Sequence, residues 1–319
     1  MTQNSATAVH LQRLRLGNPY AHIDGDGQLE GYNASLAKHE QNPRLMSQDP
    51  YAYLDGDGRI EYLTSSSHDI PSVSSTLIDP AEVLGGTTKG GRLSDADIEK
   101  VVRRLHRQLW GRRKELCPGI ENVGALDLLN PQLALQCLGY DVHFVASLGE
   151  FGGDGGRFDV AGILDRERSS VSISLSNGPQ VRNFTAAHEL AHVILHEGTG
   201  LHRDRALDNK GSSKRKDMQE RQADVFASYF LMPAKMVRSA FQQAFLSTPF
   251  QFNLTSLSAF SRHAQEALQR PGVTLRDKSR LFASVEFYNG EHFHSLATQF
   301  GVSEEAMAIR LEELTLIRP

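Results

Sequence analysis

A chain of 319 residues, 39% hydrophobic and 23% charged, is long enough to bury a core, and its net charge of −4 gives no overall field for binding nucleic acid. No apolar run approaches the roughly 18 residues of a membrane-spanning helix, and the opening MTQNSATAVHLQRLRLG lacks the apolar centre of a signal peptide, so a cytoplasmic protein is expected. Two cysteines, Cys117 and Cys137, are too few for a disulfide framework and read as reduced thiols.

Near the start, NPYAHIDGDGQLEGYN at 18–33 and DPYAYLDGDGRIEYLT at 49–64 share eight of sixteen positions. Each places β-prone residues around Asp-Gly-Asp-Gly, as a hairpin does, so residues 1–64 read as tandem β-hairpin repeats. A calcium loop is the weaker reading, because His22 or Tyr53 would hold its first position and Asn33 or Thr64 its twelfth. The repeats suit a binding or sensing appendage whose ligand the sequence does not name. Residues 65–93, rich in Ser, Thr, Gly and Pro, read as a flexible linker.

A helix is predicted over about 95–115, opened by Ser94 and Asp97 and striped by Ile98, Val101, Val102, Leu105 and Leu109. A second, LDLLNPQLALQCLG, is expected to break near Pro131 and to end at Gly139. Strands are predicted at 141–146, 160–165 and 170–176. FGGDGGRFD between the first two reads as a flexible connection, since no Gly-Lys-Ser/Thr or helix follows to make a phosphate loop.

RNFTAAHELAHVILH at 182–196 then opens a helix carrying His188, Glu189 and His192. Residues four apart share one helix face, so both imidazoles can reach one ion. Glu189 lies about 100° round and can serve as general base toward a metal-activated water. A polar connection at 197–218, either solvated or a lid, leads to the helix QERQADVFASYFLMP at 219–233. There Glu220 and Asp224 again share a face, with small Ala223 and Ala227 beside them to permit close approach. Glu220 is assigned as third zinc ligand, and Asp224 as the carboxylate that accepts a ligand histidine's ring N–H. Tyr229, His202, His292 and His294 all stay open as a second oxyanion donor.

Together the two segments resemble the ImmA/IrrE zinc metallopeptidases, a gluzincin-like family. The shared elements are R-x-F-T-x-A-H-E-L-x-H-x-x-L-H from Arg182 to His196, and Glu220, Ala223, Asp224, Phe226 and Ala227 followed by Leu231-Met232-Pro233. The resemblance runs over about 94–319, and Asp224 stands where members usually carry asparagine. It implies an α+β zincin-like peptidase domain with a small β-sheet and a helical C-terminal part. It also implies Zn2+ as cofactor and a helix-turn-helix transcriptional repressor, cut at a limited site, as protein substrate.

Two other functions compete. LATQFGVSEEAMAIRL spaces Ala297, Gly301 and Met307 as a DNA-binding helix-turn-helix does, yet residues 291–319 hold five glutamates against two arginines. Glu304 and Glu305 would open the recognition helix, where phosphates need donors, so direct nucleic-acid binding is not expected. A catalytically silent zincin-like interaction module is the other alternative, and the intact Glu189 weighs against it.

Overall fold

A computed structural model of the protein describes residues 76–118, 123–153, 156–197, 201–205 and 218–318. The repeats at 18–33 and 49–64, residues 65–75 and loop residues 206–217 lie outside the described residues.

The described half of the expected linker is built into the domain. Asp79 caps α1 (Pro80–Leu84) by accepting from the Ala81 N–H, and Ile78, Val83 and Leu84 are buried. Flexible-linker composition misleads here because three apolar residues among the glycines suffice to anchor the segment. Ser94 then caps α2 (Asp95–Gly111), whose Ile98, Val101, Val102, Leu105 and Leu109 are all buried as their spacing requires. The helix ends sooner than expected, and α3 (Arg113–Leu116) follows as a separate turn.

Pro131 starts a helix and does not interrupt one. Asn130 accepts from Leu133 N–H, Pro131 occupies the first turn of α4 (Pro131–Cys137), and residues 125–128 are turns. A first-turn proline has no N–H to lose and a preset φ, so it favours initiation. Gly139 leaves the helix with φ +84°.

The sheet holds β1 (Asp141–Val145), β2 (Glu150–Gly153), β3 (Gly156–Asp165), β4 (Ser170–Ser174) and β5 (Leu201–Arg205). Its order is β1-β4-β3-β2, with β5 also on β3; β1 and β4 are parallel and every β3 pairing is antiparallel. Two expectations fail at β3. FGGDGGRFD is no flexible connection, because Glu150 pairs with Asp159 and Gly153 with Gly156 in a β2–β3 hairpin. Part of the polar connection after the motif is β5, which pairs Leu201–Arg205 along Val160–Asp165. Backbone pairing to β3 stabilises these polar, Gly-rich segments where side-chain pattern gives no strand signal.

Against this sheet and against α4 packs α5 (Pro179–Leu195), which carries the two histidines; α6 (Met218–Leu231) lies beside it. From Thr185 to Leu195 every residue of α5 is buried, so it is a core helix, without a solvent face. The chain closes with α7 (Ala234–Phe245), α8 (Leu254–Ser258), α9 (Arg262–Gln269), α10 (Leu275–Ser284), a hairpin of β6 (Phe287–Tyr288) and β7 (Glu291–His292), α11 (Leu296–Gln299) and α12 (Glu304–Glu313). Phe241, Phe245, Phe250, Phe260, Phe282 and Tyr288 make its aromatic core. Asn183 of α5 donates to the Gly301 carbonyl in the turn before α12, which ties this unit to the histidine helix. Arg310, the basic residue of α12, is buried, donating to the Met232 carbonyl at 3.0 Å and to Glu313 at 2.9 Å. Its guanidinium lies 4.4 Å over the Tyr229 ring. The guanidinium is thus turned inward, onto the Met232 carbonyl, Glu313 and the Tyr229 ring.

Among the described residues the architecture is thus mixed α+β, a small five-stranded mixed sheet and a β6–β7 hairpin among many helices, and no helix is long and apolar enough to cross a membrane. Cys137 is buried, which pushes its thiol up to about 12, and Cys117 is partly buried; neither is in a disulfide.

Candidate metal centre

Helices α5 and α6 bring His188, His192 and Glu220 together, with one ligand atom of each lying within 4.8 Å of the others. The Nε2 atoms of the two histidines are 2.9 Å apart; Glu220 Oε2 is 3.3 Å from His188 Nε2 and its Oε1 3.6 Å from His192 Nε2. Tetrahedral ligands about 2.0–2.1 Å from zinc subtend about 3.3 Å, so the three separations bracket the span that the ion requires. Two neutral imidazoles and a carboxylate also make a donor set that zinc accepts. The residues fit the ion.

Ala223 and Ala227 are fully buried, α6 packs along α5, and Glu220 lies within 3.6 Å of both histidines. Asp224, one turn after Glu220, has Oδ1 3.0 Å from His188 Nδ1. A carboxylate there accepts Nδ1–H, which leaves the Nε2 lone pair of His188 facing the ion position.

Glu189 is fully buried on the sheet side of α5, against β3. The strand is glycine at the point of contact: a Cβ on Gly162 would clash with Glu189 Oε1 and stand 2.9 Å from Thr185 Cγ2. Gly162 therefore makes room for the glutamate. The sequence of residues 160–165 reads as a strand, and the glycine inside it is the available signal of close approach.

Beyond the motif the same helix carries His196 at its C-cap. Its Nδ1 is 2.9 Å from His192 Nδ1, and its Nε2 is 3.0 Å from Gln222 Oε1. Burial holds its pKa below the ordinary histidine value. Arg166 donates to the carbonyls of His192 and His196, placing positive charge at the negative pole of the helix. None of Arg166, His196 and Gln222 had been assigned a role from sequence.

The suggested oxyanion donors come from α6, β5, β7 and the segment after β7. Tyr229 lies under Arg310, and His292 sits 5.0 Å from the Phe287 ring on the β6–β7 hairpin. The His294 carbonyl accepts from Gln299. His202 pairs opposite Leu164 along β3, two residues from Gly162.

Residues 137–247, from the end of α4 to just past α7, match the family described as Peptidase_M78, IrrE N-terminal-like domain. The chain is also 25% identical over 128 residues to a ribosomal protein L11 methyltransferase of Halalkalibacterium halodurans. That alignment covers 40% of this chain and 39% of that protein, so the chain spans about two fifths of its length. The match to the peptidase family takes in the sheet, α5 and α6, and thus every residue of the candidate centre. Over residues 137–247 the chain therefore resembles the ImmA/IrrE metallopeptidases, as the His-Glu-x-x-His segment and its acidic partner helix implied.

Proposed function

We propose that this protein is a zinc-dependent endopeptidase acting in the cytoplasm. The observation that carries the reading is the convergence of His188, His192 and Glu220 with Asp224 behind His188. A bound zinc ion would supply Lewis acidity, bringing a water's pKa toward about 7 and polarising a peptide carbonyl. His188, His192 and Glu220 hold that ion, and Asp224 fixes the His188 ring. Glu189 takes the attacking water's proton and delivers it to the leaving amine, the role that general acid–base catalysis assigns to a positioned carboxylate. The substrate we propose is a helix-turn-helix transcriptional repressor, cut at a limited site to relieve repression; the family resemblance alone supports that class.

Metal content of the wild-type protein, Glu189→Gln and His188→Ala tests the reading. About one zinc per chain is expected in the first two and none in the third. Glu189→Gln should then bind substrate but cleave it at least about 10²-fold more slowly. Zinc in none of the three, under reducing and chelator-free conditions, would sink the peptidase reading.

A further inference from the structure

Three imidazoles stand in a row at four-residue intervals, His188, His192 and His196, with ring centroids 4.8 Å apart at each step. The outermost has no part in the chemistry proposed so far. Its hydrogen bonds nevertheless determine where the protons lie on the others.

The row ends at the backbone of the segment after α1. Gln222 Nε2 is 3.2 Å from the carbonyl oxygen of Gly91. A carbonyl only accepts, so the amide NH2 is the end that faces Gly91 and Oε1 is the end that faces His196. The amide oxygen in turn only accepts, so His196 Nε2, 3.0 Å away, carries a proton. Between His196 Nδ1 and His192 Nδ1, at 2.9 Å, one proton must be shared. A neutral His196 already protonated on Nε2 offers a lone pair at Nδ1, so the donor is His192 Nδ1–H. His192 Nε2 is left with its lone pair, 2.9 Å from the Nε2 lone pair that Asp224 leaves on His188, so the two face each other across a position suited to a cation, with Glu220 beside it.

We propose that His196 and Gln222 are positioning residues: the chain Gly91–Gln222–His196–His192 holds His192 as the Nδ1–H tautomer and so presents its Nε2 to the metal. The proposal rests on the reading of His192 as a ligand. It gives the two histidines different supports. His188 is held by a partly exposed carboxylate, His192 by a buried neutral relay. The relay also makes the centre depend on Gly91, which lies 131 positions from Gln222 and is held close by the hydrogen bond from Gly90 N–H to the Leu195 carbonyl at 2.8 Å.

The test uses the full-length protein with His196→Leu, His196→Asn and Gln222→Leu. Zinc dissociation constants are read by chelator competition, and the His192 tautomer in the zinc-free protein by 15N imidazole NMR. Loss of a partner behind a metal-bound histidine weakens metal binding by about 10- to 100-fold, which is the effect expected for both leucine variants. Asparagine can place its Oδ1 where the His196 Nδ1 stands and should bind zinc within a few-fold of wild type. Wild-type His192 should report Nδ1–H, and His196→Leu should shift it toward Nε2–H. Equal affinity in all three variants, or wild-type His192 protonated on Nε2, overturns the proposal. An asparagine variant as weak as leucine overturns it too. If circular dichroism shows His196→Leu unfolded, Gln222→Leu carries the comparison. Should the wild-type protein bind no zinc, the ligand reading fails by itself, and the tautomer spectra still decide the relay.

Discussion

Helices α5 and α6 and the helical unit from α7 onward both bury their inner faces, but they bury different things. Inside α5–α6 lie His188, Glu189, His192, His196 and Gln222, polar groups whose burial costs about 1–3 kcal/mol each wherever a hydrogen-bond partner is missing. Inside the later unit lie Phe245, Phe250, Phe260, Phe282 and Tyr288, with ring centroids 4.7–6.3 Å apart, and among its described charged residues only Arg310 is buried. Arg276, about a third exposed, binds Glu312 and Glu305 near the surface there. An aromatic interior can make a scaffold out of contact area alone. The α5–α6 interior needs a proton or a lone pair at each named atom, and that requirement is the mark of a site.

The sharpest way to break this contrast is to damage the scaffold and read the site. Phe282 is fully buried among five other aromatic rings. Phe282→Ala should cost about 3–5 kcal/mol in urea unfolding, because a ring-sized cavity cannot fully collapse. Zinc stoichiometry of the protein that remains folded should not change. A loss of zinc in step with stability would mean that the two regions are one cooperative machine.

Acidification probes the other side. His106 on α2 is buried against α6, with its Nε2 3.1 Å from the Phe230 carbonyl, and burial pushes its pKa down to about 4. The unfolded chain protonates this histidine near pH 6.5, before the folded one does. Its contribution is therefore fully present above that pH and is lost as pH falls toward about 4, by up to about 3 kcal/mol. Unfolding free energies of wild type and His106→Met, compared at the two ends of that window, should show the variant losing less. Parallel losses would show that His106 is not the group responsible.

Much of the centre was legible because its chemistry is written at helical spacing. His188 and His192, then Glu220 and Asp224, each stand four apart, and local periodicity fixes which atoms can share an ion. His196 continues the same interval and could have been read the same way. Gln222 and Gly91 could not, since their bond joins residues 131 apart and nothing local announces it. Fold reading failed for related reasons. Pro131 is equally compatible with ending or starting a helix until Asn130 is seen to cap it. Leu201–Arg205 becomes a strand only through pairing with β3. The apolar stripe of α2, by contrast, needs no distant partner to be recognised.

Gly162 tests how tightly the site side is packed. Gly162→Ala should destabilise by about 1–3 kcal/mol, since the added methyl meets the carboxylate of Glu189 and the methyl of Thr185 in a space with no slack. The more telling readout is the ratio of effects. Peptidase activity should fall further than zinc affinity, because Glu189 is displaced while the three ligands are not. Zinc affinity falling as steeply as activity would place the strain on the ligands instead.

The smallest effect is expected on the outer face of the C-terminal unit. Arg276 holds Glu312 with Nε at 2.8 Å and Nη2 at 2.9 Å, and Glu305 through Nη1. These arginine contacts keep the Glu312 carboxyl below its ordinary pKa, as contacts from Arg280 and Arg276 do for Glu305. Their contribution is therefore present at neutral pH and lost as pH falls through the carboxylate range. Arg276 is about a third exposed, however, so solvent and salt screen the gain, and Arg280 still binds Glu305 when Arg276 is gone. Arg276→Met should accordingly cost no more than about 1 kcal/mol in urea unfolding, and less at high salt. A loss as large as that of Phe282→Ala would mean that this unit too depends on its polar groups, and the division between an apolar scaffold and a polar site would no longer hold.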